Sequence, residues 1–195
     1  MSDAQTLRAY AARAAEYARF TGDFVDPLLA EFLARLPENG HILDLGCGPG
    51  RDAAIMADAG YRVTAVDAVP EMVAMAARHP DVETRIMRFD EMSWRHAFDG
   101  IWANFSLLHA QRGAMSHHLA AIARALKPGG YLHLALKTGS GSRRDSLKRF
   151  YTYYEEAELR GLLRDAGLKW VEARTGRHKG LSGLEEDWIA VLSHA

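Results

Sequence analysis

The sequence has a single cysteine, Cys47, among its 195 residues. One cysteine excludes a disulfide within the chain and a structural zinc site built from several thiolates. Neither charge is in excess, because 24 Lys and Arg residues meet 25 Asp and Glu residues for a net charge of -1. Such a chain lacks the basic face that a broad electrostatic grip on nucleic acid or an anionic membrane requires. We therefore expect neither as a partner.

Long apolar runs are also missing. No uncharged apolar stretch approaches the roughly 18 residues that a membrane helix needs, and the first residues lack the continuous apolar core of a signal peptide. The 48% of hydrophobic and 25% of charged residues are typical of a globular chain, and the length suits one domain. The sequence therefore predicts a soluble, cytoplasmic protein.

Short apolar runs alternate with helical patterns from residue 41 onward. The predicted strands are 41–45, 61–66, 82–87, 98–103, 131–136, 169–174 and 187–192, and the predicted helices are 51–59, 70–78, 113–126 and 155–166. This alternation favours right-handed crossovers and a parallel sheet covered on both faces. The segment 176–186 is too short for a helical crossover, so the last two strands should form a hairpin. The predicted fold is α/β, a Rossmann-like, doubly wound, seven-stranded sheet, mostly parallel with an antiparallel C-terminal hairpin.

Glycines cluster where the first predicted strand ends. Gly46, Gly48 and Gly50 stand at the carboxyl end of that strand, where open α/β sheets bind ligands. Glycine there allows positive φ and a close approach of the backbone to a ligand. Asp67 ends the second strand about 20 residues later, where an acid accepts ribose hydroxyls in nucleotide-binding units. The alternative is that Asp67 caps the helix that begins at Pro70.

Four segments in order resemble the motifs of class I S-adenosylmethionine-dependent methyltransferases. They are Ile42–Gly50, Val63–Asp67, Phe98–Asn104 with Leu107-Leu108-His109 after it, and Leu126–Leu132. The resemblance covers residues 41–136 and implies S-adenosylmethionine as the cofactor. It implies one methyltransferase domain over 1–195, with an N-terminal helical cap (1–40), a cofactor-binding core (41–136), a substrate-side loop (137–154) and a C-terminal helix and hairpin (155–195). The cap is predicted to be helical over 4–36 with a break at 21–23.

The resemblance also implies which residues hold the cofactor. Asp44 would support its amino group, Asp67 its ribose and Asp90 its adenine amino group, with Phe89 beside the ring; Glu91 is the alternative to Asp90. The full expected set is Asp44, Gly46, Cys47, Gly48, Gly50, Arg51, Asp67, Ala68, Phe89, Asp90, Asn104 and Phe105. No metal site is expected, because His117 and His118 have no third ligand at a suitable spacing.

Two members of this set have competing interpretations. Arg51 resembles the arginine that lies near the cofactor carboxylate in tellurite- and thiopurine-type small-molecule methyltransferases. The alternative is a solvated arginine in the first turn of a helix. Cys47 invites a nucleophilic interpretation, but no base is placed to activate it, and the family uses this position for a small packing residue.

His109 and Tyr17 are the candidate catalytic residues. Methyl transfer from a sulfonium is an in-line displacement that depends on alignment, and only oxygen or ammonium acceptors need a base. Histidine is a residue type that titrates near neutral pH, and His109 lies on the expected substrate side. Tyr10 and Tyr17 share a face of the first helix, which in this family often folds over the active site. A packed histidine and a core tyrosine stripe are the alternatives.

The acceptor is expected to be a small molecule. Asn104-Phe105-Ser106 lacks the prolines of the amino-methyltransferase motif that it begins like. The basic loop Lys137–Arg149 and the aromatic cluster Phe150–Tyr154 would suit an anionic or aromatic substrate, unless the loop is merely solvated and mobile. Arg177 and His178, in the predicted hairpin turn, could also reach the site. A non-catalytic S-adenosylmethionine-binding or regulatory protein and an NAD(P)-dependent oxidoreductase are the alternative functions, and the oligomeric state is not predicted.

Overall fold

The computed structural model describes residues 3–22 and 24–195. Asp23, one of the three residues of the predicted helix break, lies outside them. The helices are α1 (Ala4–Ala11), α2 (Ala14–Thr21), α3 (Pro27–Leu33), α4 (Arg51–Asp58), α5 (Pro70–Ala76), α6 (Met115–Ala125) and α7 (Glu156–Asp165). The strands are β1 (His41–Leu45), β2 (Arg62–Asp67), β3 (Val82–Ile86), β4 (Phe98–Asn104), β5 (Leu126–Lys137), β6 (Ser142–Arg144), β7 (Phe150–Thr152), β8 (Lys169–Lys179) and β9 (Glu185–His194). None of these helices is long and apolar enough to cross a membrane.

Seven of the described strands form one sheet in the order β3-β2-β1-β4-β5-β9-β8. The strands from β3 to β5 are parallel, and β9 runs antiparallel to both β5 and β8. This arrangement confirms the predicted α/β fold, including the antiparallel hairpin. The strand order reverses between β1 and β4, and a ligand crevice opens at the carboxyl ends of strands at such a reversal.

Apolar side chains cover both faces of the sheet. Ile42 and Leu43 are both fully buried, although neighbouring positions of a strand face opposite sides. Ile42 packs in a cluster with Phe32 and Trp102, whereas Leu43 belongs to a larger cluster on the other face. Burying one such side chain contributes about 1.5–3 kcal/mol relative to leaving it exposed. The frame that positions the crevice is therefore held from both sides.

Several element boundaries differ from the predictions. The N-terminal helix is broken at Ala12–Arg13, and α3 ends at Leu33. Strand β5 begins at Leu126, five residues earlier than predicted, across a pairing irregularity in β4. The hairpin pairing continues to Lys179 and Glu185 through charged side chains, so Arg177 and His178 lie in β8 and not in the turn. Charged residues on an edge strand do not show the apolar pattern by which a strand is predicted from the sequence.

The predicted substrate-side loop is partly folded. Residues of β6 and β7 pair as a small antiparallel ribbon. The turn between them closes on Asp145, whose carboxylate accepts hydrogen bonds from the backbone N–H groups of Leu147 and Arg149. The Arg149 side chain is only 4% exposed and pairs with Asp145 at 2.7 Å. The segment 137–149 is therefore folded at its turn, although most of its residues are exposed to solvent.

Candidate active site

The loop after β1 fits closely against its neighbours at two glycines. Gly46 and Gly50 both have a φ of +84°. A Cβ on Gly46 would lie 2.3 Å from Cβ of Ser106, and one on Gly50 would lie 2.4 Å from Cβ of Ala76. Both the backbone conformation and the space therefore require glycine. The tight packing of the loop thus requires glycine where the sequence predicts the strand-to-helix reversal.

Gly48 faces an open space. Its φ is +52°, and the nearest described heavy atom to a Cβ built there is Cε1 of Tyr17, at 3.5 Å. Its backbone N–H donates to Oδ2 of Asp67 at 3.0 Å, and the N–H of Val69 donates to Oδ1 at 2.9 Å. Burial raises the pKa of Asp67. Asp67 thus holds the loop and the residue before α5 while it lines the pocket. The N-cap of α5 is Val69, without a side-chain cap bond, and the ribose role of Asp67 stays a prediction.

Asp44 carries an unsatisfied oxygen beneath the loop. The residue is 3% exposed, and its Oδ2 has no hydrogen-bond partner in the described part of the chain. Burial, reinforced by the charges of Asp52 and Asp67, raises the pKa of Asp44 well above its usual value. A buried carboxyl oxygen without a donor costs free energy unless a ligand or water supplies one.

One pocket brings together most of the predicted site residues. It lies at the carboxyl edge of β1, β2 and β4, beneath α1 and α2, which are called the lid below. The predicted residues that line it are Gly46, Gly48, Asp67, Ala68, Phe89, Asn104, Phe105, His109 and Tyr17. Tyr10, from the same helix face as Tyr17, also lines it. The remaining predicted residues are Asp44, Cys47, Gly50, Arg51 and Asp90, which are not part of the lining.

Arg51 is turned away from this pocket. Its Nε and Nη2 donate to Oδ1 of Asp52 at 3.1 and 2.7 Å, and its Nη1 donates to the carbonyl of Thr21. With Gly50 it lines a separate groove. In the structure described, the guanidinium therefore joins the end of α2 to the start of α4.

Asp90 and Cys47 also have partners within the chain. The carboxylate of Asp90 accepts from Arg88 at 3.1 and 3.2 Å, next to Phe89 in the pocket wall. The thiol of Cys47 donates to the carbonyl of Gly48 at 3.4 Å. Burial raises the pKa of that thiol well above its usual value, so it is protonated and unreactive at neutral pH. These contacts favour the packing interpretation of Cys47.

Asn104 is held from two sides at the end of β4. Its Nδ2 donates to Oδ2 of Asp26 at 3.1 Å, and its Oδ1 lies 3.3 Å from Nε2 of His133. An amide oxygen only accepts, so Nε2 of His133 carries the proton in this pair. The His133 ring stacks on Trp102 with 3.7 Å between centroids. Sequence reasoning missed Asp26 and His133, because no local pattern links residues so far apart.

Phe105 adopts a strained backbone conformation. Its φ of +52° is rare for a residue with a side chain and costs on the order of 1–3 kcal/mol. The N–H of Phe105 donates to the carbonyl of Ala135, and its ring lies 5.1 Å from that of His178 and 6.2 Å from that of Trp188. Of the two residues expected to reach the site from the hairpin, His178 contacts its wall, and Arg177 pairs with Asp187 instead.

His109 connects the pocket to the lid. Its Nδ1 lies 2.6 Å from the carbonyl oxygen of Phe150, and its Nε2 lies 2.9 Å from the hydroxyl of Tyr10. Burial lowers its pKa to about 3, so the ring is neutral at pH 7. Nη1 of Arg149 donates to the same hydroxyl at 3.0 Å. Sequence reasoning identified His109 but not Arg149.

The basic residues near the site are compensated by acids. Lys137 pairs with Glu186, which also accepts from Arg143 at 2.9 Å and from the hydroxyl of Tyr153 at 2.5 Å. Arg144 pairs with Asp3 at the start of the lid. These pairs, with that of Arg149 and Asp145, leave little unpaired positive charge on the predicted basic loop.

A family model described as a methyltransferase domain matches residues 42–130. Trans-aconitate 2-methyltransferase of Delftia acidovorans is 35% identical over 62% of this chain and 47% of its own length. Ubiquinone biosynthesis O-methyltransferase of Xanthomonas axonopodis pv. citri is 33% identical over 57% of this chain and 49% of its own length. The chain thus spans about half the length of the curated relatives it matches.

A solved structure matches almost the whole chain. It is that of 1,6-didemethyltoxoflavin-N1-methyltransferase from Burkholderia thailandensis, with 1,6-didemethyltoxoflavin and S-adenosylhomocysteine bound. The two are 28% identical, with a TM-score of 0.80 over 98% of this chain and 87% of that one. The similarity includes α1 and α2, since it extends well beyond the segment that the family model matches.

Proposed function

We propose that the chain is a class I S-adenosylmethionine-dependent methyltransferase and that it transfers a methyl group from S-adenosylmethionine to a small-molecule acceptor. The proposal rests on one observation. Gly48 of the open loop and Asp67 line the same pocket, and the unpaired oxygen of Asp44 lies beneath the loop.

The chain's own residues fit this cofactor. A side chain at position 48 would occupy the space above the loop. Glycine there leaves room for a ligand against the backbone. Oδ2 of Asp44 would accept from the ligand's ammonium group, which removes the cost of its missing partner. Each oxygen of Asp67 accepts one backbone N–H and has a lone pair left for a ribose hydroxyl. Phe89 would lie beside the adenine, and Asp90 would share its carboxylate between Arg88 and the adenine amino group.

When bound, the cofactor supplies an electrophilic methyl group on a sulfonium. The protein then has to hold the acceptor in line with that methyl group, and alignment of this kind contributes up to about 7–11 kcal/mol in favourable cases. Tyr10 and Tyr17 close the pocket from above and exclude water. Neutral His109 presents an unprotonated Nε2 toward the same space and would accept a proton from an acceptor that carries one.

We also propose that the acceptor is anionic or aromatic and that the enzyme acts in the cytoplasm without nucleic acid. The aromatic rings around His109 and the buried Arg149 support such an acceptor. The near-neutral net charge supports the absence of nucleic acid. The names of the relatives include both O- and N-methyltransferases, so they do not select the acceptor atom.

A calorimetric titration with S-adenosylhomocysteine, with NADH in parallel, tests the proposal. We expect micromolar binding of S-adenosylhomocysteine and none of NADH. Binding of NADH alone would favour an oxidoreductase. Tight binding of S-adenosylhomocysteine without methylation of any of a panel of thiols, amines, phenols and carboxylates would favour a regulatory binding protein.

A further inference from the structure

We propose that the acceptor is an aromatic hydroxyl compound, and that its hydroxyl takes the place that Tyr10 now fills between His109 and Arg149. The inference rests on the proposed methyltransferase function and names the acceptor of that site. The hydroxyl slot is defined by two atoms, Nε2 of His109 and Nη1 of Arg149, which lie 2.9 and 3.0 Å from the Tyr10 oxygen.

The first partner in the slot is a base in a fixed orientation. The carbonyl of Phe150 can only accept a hydrogen bond, so Nδ1 of His109 carries the proton of the neutral ring. Its Nε2 therefore has a lone pair and requires a donor. The Tyr10 hydroxyl meets this requirement, and an incoming acceptor must bring an X–H group to replace it.

The second partner is a cation in a fixed position. Nε and Nη2 of Arg149 donate to Oδ2 of Asp145 at 2.9 and 2.7 Å, which leaves Nη1 aimed at the Tyr10 oxygen. An atom in the slot therefore has to donate to His109 and accept from Arg149 at once. This double demand excludes aliphatic and thioether groups.

Oxygen meets the demand and remains nucleophilic. A hydroxyl oxygen has two lone pairs, so one accepts from Arg149 while the other stays free to attack. An amine nitrogen has one lone pair, and a hydrogen bond from Arg149 would occupy it. A thiol is a weak partner for both groups. The slot consequently selects an oxygen acceptor.

The surroundings of the slot suit an aromatic ring. The Tyr10 ring lies edge-on to Tyr17 and to His109, each at 5.3 Å, and 5.2 Å from the guanidinium carbon of Arg149. The Tyr151 ring lies 4.6 Å from that of His109 on the inner side. A phenol in place of Tyr10 would retain the edge-to-face and cation–π contacts.

The groups that orient the slot atoms lie outside the lid. They are the Phe150 carbonyl for His109 and Asp145 for Arg149, and neither belongs to α1 or α2. The lid contacts this region through Thr6, which accepts from the N–H of Phe150, and through Asp3, which pairs with Arg144. Withdrawal of α1 would remove Tyr10 and break these two contacts, whereas the bonds of His109 to Phe150 and of Arg149 to Asp145 involve no lid atom.

The methyl transfer that follows breaks two bonds and forms two. The acceptor O–H bond breaks and its proton goes to Nε2 of His109. An oxygen lone pair forms the new C–O bond, the methyl–sulfur bond breaks, and its electron pair stays on the sulfur. The products are an aryl methyl ether, S-adenosylhomocysteine and protonated His109, which loses the proton to water when the lid opens.

The test measures binding of three matched ligands to the protein saturated with S-adenosylhomocysteine. They are 4-cyanophenol, 4-aminobenzonitrile and benzonitrile, which share a ring and differ in the hydroxyl, amino or missing group. We expect 4-cyanophenol to bind at least tenfold more tightly than either of the others. With S-adenosylmethionine instead, 4-cyanophenol should yield its methyl ether, and 4-aminobenzonitrile should yield no N-methyl product.

The variant Tyr10→Phe tests the hydroxyl slot separately from the packing of the aromatic ring. This variant keeps the ring but no longer competes for His109 and Arg149, so 4-cyanophenol should bind about tenfold more tightly than to the wild type. Benzonitrile binding should change less than twofold. Tyr61→Phe is the control, because the Tyr61 hydroxyl donates to the carbonyl of Leu33 away from the pocket; wild-type binding is expected. Arg149→Lys should weaken 4-cyanophenol binding at least tenfold.

Different results would contradict the methyltransferase function and the hydroxyl slot. Failure of the wild-type protein to bind S-adenosylhomocysteine would contradict the proposed function itself. Normal binding of S-adenosylhomocysteine, with 4-cyanophenol no better than benzonitrile or with no gain in Tyr10→Phe, would overturn the hydroxyl slot alone. Preferred binding and methylation of 4-aminobenzonitrile would also overturn it.

Discussion

The backbone N–H of Gly48 lies 3.0 Å from Oδ2 of Asp67 and donates a hydrogen bond to it. This bond joins the loop after β1 to the end of β2, so the acid that lines the pocket also fixes the open face of the loop. If Asp67 binds a ribose as proposed, the conformation of the glycine loop and ribose binding are coupled through one carboxylate. A substitution at Asp67 should affect both.

Asp67→Ala should weaken S-adenosylhomocysteine binding at least tenfold, because it removes the acceptor for both the ribose and Gly48. Calorimetry gives the affinity, and circular dichroism checks that the fold is retained. Asp165→Ala, which removes an exposed acid that pairs with Arg164 on α7, is the control and should bind as the wild type does. Unchanged affinity in Asp67→Ala would contradict the assignment of Asp67.

Gly46→Ala should lower the free energy of unfolding by about 2–4 kcal/mol, since the new Cβ would overlap Ser106 and the backbone has positive φ. Gly129→Ala provides the comparison. Gly129 has a φ of +78° but no described heavy atom within 4 Å of a Cβ there, so only the backbone cost of about 1 kcal/mol applies. Urea unfolding of both variants measures the difference. Equal losses would show that the contact with Ser106 does not constrain the loop.

His133→Gln should change how stability depends on pH. Burial lowers the pKa of His133 to about 3, below the value of about 6.5 for the unfolded chain. The fold therefore favours the neutral ring, and this contribution is complete above pH 6.5 and is lost as the pH falls toward 3. The wild type should lose up to about 1.4 kcal/mol more per pH unit than the variant in that window.

Urea unfolding at several pH values between about 5 and 8 tests the expectation for His133. His117→Gln, which replaces an exposed histidine on α6, should follow the wild-type curve. Parallel curves for the wild type and His133→Gln would show that folding does not shift the pKa of His133.

Glu186→Gln should destabilise the protein by about 3–5 kcal/mol, because it leaves the buried ammonium of Lys137 without its carboxylate. The double variant Lys137→Met/Glu186→Leu removes both charges together. It should recover most of the loss, since two apolar side chains avoid the desolvation cost of the pair. A double variant as unstable as Glu186→Gln would mean that the other partners of Glu186, Arg143 and Tyr153, dominate the interaction.

The sheet was predictable because its signals are local. Apolar runs end at Gly46 and Asp67, and the short link before β9 allows only a hairpin. Strand ends were less predictable: β8 runs on to Lys179 because Arg177 pairs across the hairpin with Asp187, and charged side chains on an edge strand do not differ in sequence from a polar loop.

The sequence pointed to Gly46, Gly48 and Asp67, which line the pocket, but not to the contacts between distant side chains. Tyr10 and His109 are separated by 99 positions, and no periodicity reports such a contact. Arg149 looked like one of several basic loop residues, yet its pairing with Asp145 buries it. Arg51 was expected at the cofactor carboxylate, but its neighbour Asp52 and the Thr21 carbonyl take up its donors on the other side of the loop.

The position of β9 between β5 and β8 has a consequence for how the chain folds. In the described part of the chain, β8 pairs only with β9, so it joins the sheet only through that strand. The two strands therefore either dock onto β5 together as a hairpin, or β9 pairs with β5 before β8 is added. Until it docks, β5 is an open edge with unpaired backbone groups, which can pair with another molecule. A residue stiffer than glycine at position 183, where φ is +82°, should slow the formation of the hairpin. We expect such a variant to aggregate during refolding more than its loss of native stability accounts for.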